Sequence, residues 1–124
     1  MNLIKREFEI NEMVAGHPNI IQPIGYNTEG VILNNDRFEP IMYNVLEVAE
    51  NGEISRFIRE TGPLEEEIGR FYAAQICHAV NFMHQKEIAH LDIKLENILL
   101  DGWFNAKLAD FGSAINAFKG SGLC

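Results

Sequence analysis

Residues 90–97 read His-Leu-Asp-Ile-Lys-Leu-Glu-Asn and run directly into the apolar Ile98-Leu99-Leu100. Asp92 and Lys94 stand two apart, and Asn97 follows three further on. On a regular helix, positions i and i+2 point to different sides, so Asp92 and Lys94 would diverge. In an extended loop or tight turn, the carboxylate, the ammonium and the amide can all face one pocket. Those groups can accept a proton, face an anion and offer a hard oxygen to a metal ion. A second run, Ala109-Asp110-Phe111-Gly112, adds another carboxylate shortly afterwards.

Such side chains need elements to carry them. Ile4, Phe8 and Val14 recur near helical spacing among charges and predict a helix over 2–15, broken by Gly16-His17-Pro18-Asn19. Residues 20–26 and 40–49 read as two strands, separated by the turn-rich runs 27–30 and 34–39. Glu50-Asn51-Gly52 is a turn, and 53–60 is a short helix stopped by Thr61, Gly62 and Pro63. A long helix is predicted over 63–84, with Pro63 in its first turn and Glu65, Glu66 and Glu67 at the positive end of its dipole. Its apolar side would carry Ile68, Phe71, Tyr72, Gln75, Ile76, Ala79, Val80 and Met83. The loop with Asp92 comes next. A short hairpin then pairs 98–101 with 106–110 around 102–105, and a Gly- and Ser-rich tail spans 111–124.

The chain has 124 residues, of which 47% are hydrophobic, so the composition is that of one modest globular domain. No apolar run reaches the roughly 18 residues of a membrane span, and the charged start does not suit a signal peptide. The net charge of −8 argues against nucleic acid and anionic membranes and leaves basic partners open. The two cysteines, Cys77 and Cys124, form no disulfide framework or zinc pattern, which favours a reducing, cytoplasmic setting. Cys77 lies in an apolar helical pattern and is expected to be a buried free thiol.

His-x-Asp-x-Lys-x-x-Asn, a hairpin and Asp-Phe-Gly, in that order, resemble the catalytic loop and magnesium loop of the protein kinases. The resemblance spans nearly the whole chain. Residues 5–21 are similar to the C-helix of kinases and the strand after it, and residues 42–54 to the strand, hinge and D-helix. Residues 70–84 are similar to the E-helix. Asp92 to Asn97 point within the family to serine/threonine kinases. The implied fold is α+β, part of a two-lobed kinase: 1–48 in the small lobe and hinge, 49–124 in the helical large lobe.

The resemblance implies ATP and Mg²⁺ as cofactors and a protein hydroxyl as acceptor. Phosphoryl transfer needs that hydroxyl, the γ-phosphoryl and the metal held in line, with the spreading negative charge neutralised. Asp92 matches the base, Lys94 the cation beside the γ-phosphate, and Asn97 and Asp110 the metal ligands. Gly112 would let the chain turn after the metal ligand. His90 matches a packing post, and Glu7 matches the partner of the phosphate-holding lysine, a place for which Glu9 and Glu12 compete. Leu46 would be the gatekeeper, and the Glu47 and Ala49 backbones would meet adenine. Leu99 would floor the adenine pocket, with core packing as the equal alternative. Glu53 and Glu96 match positions that touch ribose or basic substrate side chains, against a plain surface role. Substrates with basic residues near the acceptor are therefore expected.

Departures accompany the match. No Gly-rich loop or lysine strand precedes the C-helix region, and the sequence stops where kinases continue, so a kinase fragment that is inactive alone is expected. Asn11 and Pro23 stand where kinases place apolar side chains. Leu95 replaces a common proline. Leu91 replaces the arginine that clamps an activation-loop phosphate. The matching phosphosite would be Gly122, next to Ser121, so control without that phosphorylation is expected. The rival readings are a non-catalytic, pseudokinase-like binding fragment and a chance resemblance in a structural protein.

Overall fold

In the computed structural model, residues 2–117 are described. The fold is α+β: among the described residues, three α-helices and three two-stranded antiparallel sheets. Helix α1 (Leu3–Met13) starts at Asn2, whose side-chain oxygen accepts the N–H groups of Ile4 and Lys5 at 3.1 and 3.2 Å. That cap satisfies two donors a helix start leaves orphaned. Gly16, at φ 99°, turns the chain away from the helix.

Strands β1 (Pro23–Asn34) and β2 (Arg37–Leu46) form a hairpin much longer than the sequence suggests. Asn27-Thr28-Glu29-Gly30 is not a turn. The register shifts between Asn27 and Gly30, so the extra residue is absorbed as a bulge. A Cβ on Gly30 would run into the Tyr43 ring, so the close strand approach needs glycine there. The true turn is Asn35-Asp36, with φ of 49° and 63°, a two-residue loop that Asn and Asp tolerate well.

Helix α2 (Ile54–Thr61) ends at Gly62, φ 90°, whose N–H returns to the Ile58 carbonyl at 2.8 Å. Helix α3 (Glu66–Gln85) begins three residues beyond Pro63, so that proline precedes the helix instead of filling its first turn. The buried face of α3 is also narrower than expected. Tyr72, Ala79 and Met83 are buried, whereas Ile68 and Phe71 stay 43% and 50% exposed. Cys77 is exposed, contrary to expectation, because it lies off the stripe of buried positions.

Strand β3 (Ile88–Ala89) pairs with β6 (Ile115–Asn116), a strand within the segment expected to be a plain tail. Strands β4 (Ile98–Leu100) and β5 (Ala106–Leu108) form the predicted hairpin, whose turn is set by the Asp101 carboxylate accepting from Trp103 and Asn105 N–H. Leu108 binds the linker after α1: its N–H donates to Asn19 at 2.8 Å and its carbonyl accepts from Ile21 at 3.0 Å. Leu100 binds the segment before α2 in the same way, through Asn51 and Gly52. Val14, Ile20, Met83, Leu100, Leu108 and Phe111 close the core at 1% exposure or less. No helix among the described residues is long and apolar enough to cross a membrane.

Truncating Met83 to alanine removes a fully buried side chain and is expected to cost about 2–5 kcal/mol. Cys77→Ser, on the exposed side of the same helix, should stay within about 0.5 kcal/mol. Urea unfolding of the two variants checks the contrast.

Candidate active site

The loop between β3 and β4 is anchored by His90, 2% exposed. Its Nδ1 accepts the Asp92 N–H at 3.1 Å, which leaves Nε2 to donate to the Ala109 carbonyl at 2.8 Å. The imidazole also meets the Phe111 ring edge-on at 5.1 Å. One buried ring therefore ties the Asp92 loop to the chain just before Asp110.

A 3₁₀ turn, Leu95–Asn97, brings Asn97 back towards Asp92. The Asn97 amide donates to the Asp92 carbonyl at 2.9 Å and to the Asp92 carboxylate at 3.0 Å. Its backbone carbonyl accepts from Ala109 N–H at 2.9 Å. Lys94 Nζ lies 3.7 Å from the other Asp92 oxygen. The carboxylate, the ammonium and the amide thus converge, as an irregular loop allows and a helix would not. Asn97 spends its N–H₂ group on Asp92, so its amide oxygen is the atom left for a metal.

Asp110 has φ 63°, and its carboxylate accepts from Gly112 N–H at 3.2 Å. The left-handed residue of this turn is Asp110, and the chain turns at Gly112 just after it. Gly112 is also needed for space: a Cβ there would sit 3.2 Å from the Asp110 carboxylate and 3.8 Å from that of Glu7. Helix α1 reaches this segment twice. Arg6 donates to the Ala114 carbonyl at 2.5 Å, a link with no sequence signal, and Glu7 accepts from Phe111 N–H. Glu9 instead lies 3.9 Å from Lys5 on the exposed side, and Glu12 is exposed. Burial, and then the Asp110 charge, raise the Glu7 carboxyl above its ordinary value.

The segment after β2 turns its backbone inward beside Leu99. Glu47 donates its N–H to Gln22, and its carboxylate accepts from Gln22 N–H at 3.0 Å and from Lys107 at 2.9 Å. The Ala49 carbonyl accepts from Gly52 at 3.1 Å. Glu53 bridges to Leu99 in an isolated β-pair, and its carboxylate accepts from Ser55 Oγ at 3.1 Å. Leu99 is half-buried. Leu46, 38% exposed, ends β2. Glu96 is exposed on the 3₁₀ turn. Asn11, polar where an apolar residue was expected, is 3% exposed and donates to the Ile21 carbonyl at 3.0 Å. Leu91 is 62% exposed at φ 66°. Gly122, Ser121 and Cys124 lie outside the described residues.

The donor set of Asn97 and Asp110, two hard oxygens on chain segments joined by the Ala109–Asn97 bond, suits Mg²⁺. Ionised Glu7 destabilises the fold because its carboxyl is raised: the deficit develops as pH rises above the ordinary carboxylate range and is absent below it. Glu7→Gln should therefore raise the melting temperature at neutral pH, and the gain should fade on acidification. Thermal melts across pH check both signs.

Comparison with known proteins bears on these residues together. The family model described as protein kinase domain matches residues 2–122. Serine/threonine-protein kinase chk1 of Schizosaccharomyces pombe is 37% identical over 115 residues, 92% of this chain and 21% of its own length. CBL-interacting protein kinase 24 of Oryza sativa subsp. japonica is 37% identical over 123 residues, 99% of this chain and 25% of its own. Serine/threonine-protein kinase PKH2 of Saccharomyces cerevisiae is 47% identical over 76 residues, 61% of this chain and 7% of its own. The chain thus spans a quarter or less of the length of these relatives, and it belongs to the protein kinase family.

Proposed function

We propose that this chain is the segment of a serine/threonine kinase that carries the phosphoryl-transfer residues. The observation that supports this best is the Asp92–Asn97–Lys94 constellation, fixed by His90 to the strand that leads into Asp110.

In this reading Asp92 takes or orients the proton of the acceptor hydroxyl. The Asn97 amide holds that carboxylate in one rotamer, so little reorganisation is left for the reaction. Lys94, close to Asp92 and half-exposed, swings from it to the γ-phosphate and neutralises charge there. The amide oxygen of Asn97 and the Asp110 carboxylate would hold Mg²⁺, which when bound would supply positive charge to offset that of the phosphates. The backbones of Glu47 and Ala49 meet adenine over Leu99. The Glu47 N–H is engaged by Gln22, so Glu47 would contribute its carbonyl. Glu53 and Glu96 face ribose and the basic side chains of a protein substrate.

Glu7 is the proposed partner of a phosphate-holding lysine. Among the described residues no Lys or Arg pairs with it. The 124-residue chain by itself is therefore expected to be inactive, and labelled ATP with a generic basic peptide tests this. Robust transfer that Asp92→Asn abolishes would contradict the expected inactivity. In a complete kinase domain containing this segment, Asp92→Ala and Asp110→Ala should each remove most turnover. Asp110→Ala should also weaken Mg²⁺-dependent nucleotide binding. Normal turnover in either would overturn the catalytic reading of this segment and leave it a binding role.

Control follows from Leu91. With leucine before Asp92, the loop offers no cation there for an activation-loop phosphate. Phosphatase treatment of the complete domain should leave its activity unchanged. A large loss reproduced by Ser121→Ala would overturn this reading.

A further inference from the structure

A groove of about 670 Å³ lies where α2 and the segment before it face the β4–β5 turn. Its apolar wall is Phe57 and Phe104, whose ring centroids are 5.8 Å apart and tilted by 57°. Glu50, Glu53 and Glu60 also line it, against the single lining cation Arg56. Three negative charges against one positive leave the lining at −2, in a chain whose total is −8. Of the residues proposed for nucleotide and substrate, only Glu53 borders this groove; Asp92, Lys94, Asn97 and Asp110 do not.

We infer that this groove docks a short basic segment of a partner protein, with an arginine or lysine over the Phe57 and Phe104 rings and its charge met by Glu50 and Glu60. Aromatic faces attract cations, and partial removal from water strengthens that attraction. Net negative lining charge selects against acidic segments and speeds the arrival of basic ones. An aliphatic neighbour of the basic residue would cover Phe57 and Phe104 ring surface that water now meets.

Arg56 gives the inference a second handle. Its Nε lies 3.0 Å from Glu60 Oε1, and both side chains are mostly exposed. This internal ion pair occupies the carboxylate that the guest cation would use. An incoming arginine must compete with Arg56, so removing Arg56 should improve docking while removing Glu60 should impair it. A groove with no basic guest would show neither effect.

The test needs no catalysis and so does not rest on the kinase reading. The full chain, without nucleotide, is titrated with a fluorescein-labelled Leu-Arg-Arg-Leu peptide and, separately, with a Leu-Glu-Glu-Leu peptide, by fluorescence anisotropy. The basic peptide should bind, more weakly as salt rises, and the acidic one should not. The double variant Glu50→Gln/Glu60→Gln should lose about tenfold in affinity, at roughly threefold for each exposed carboxylate. Arg56→Gln should bind about threefold more tightly. That gain cannot arise from misfolding, and circular dichroism melts of each variant guard the loss. Absence of binding, equal binding of the acidic peptide, or affinity unchanged in both variants would overturn the inference. So would binding that survives these changes and is lost instead in Glu96→Gln.

Discussion

The buried His90 ring holds two chain segments that share no sequence neighbourhood. Through Nδ1 it fixes the backbone of Asp92, and through Nε2 it fixes the carbonyl of Ala109, one residue before Asp110. A buried imidazole with both nitrogens engaged has one ring orientation and one tautomer. The spacing of the two acidic residues is therefore set by a side chain that is itself almost fully removed from water. Phe111 packs on that ring and joins it to the apolar core formed by α1, α3 and the β4–β5 hairpin.

Around this post, polar contacts replace regular secondary structure. The Asp92 loop is neither helix nor long strand, so its backbone groups must find partners elsewhere. Asn97 supplies several: its amide serves the Asp92 carbonyl and carboxylate, and its carbonyl serves Ala109. The strands of the hairpin that follows the loop, β4 and β5, are three residues long, too short to define a sheet alone. Leu108 and Leu100 give them further backbone partners, in the linker after α1 and in the segment before α2. The hairpin is thus the junction through which the helices and the long β1–β2 hairpin reach the site.

Helix α1 also contributes to this arrangement. It holds the Asp110 segment by Arg6 on the Ala114 carbonyl and by Glu7 on the Phe111 amide. Both contacts depend on two segments more than a hundred residues apart in sequence being brought face to face. The Glu7 carboxyl is held there at an electrostatic cost, since burial and Asp110 both oppose its charge.

The sequence alone determined the local features: the α2 stop at Gly62, the β4–β5 hairpin and the order of Asp92, Lys94, Asn97 and Asp110. These follow from turn chemistry, apolar periodicity and close spacing, each of which acts within a few residues. Tertiary structure decided what spacing cannot reach. Asn27–Gly30 became a bulge because β2 lies alongside and continues the pairing, whereas turn composition alone favoured a break. Ile115–Asn116 became a strand because Ile88–Ala89 offered it an edge. Cys77, Ile68 and Phe71 stayed exposed because only one stripe of α3 meets the other elements, and helical periodicity does not say how wide that stripe is. Glu7, Glu9 and Glu12 all suit a helix surface, but only Glu7 faces the Phe111 amide once α1 is docked.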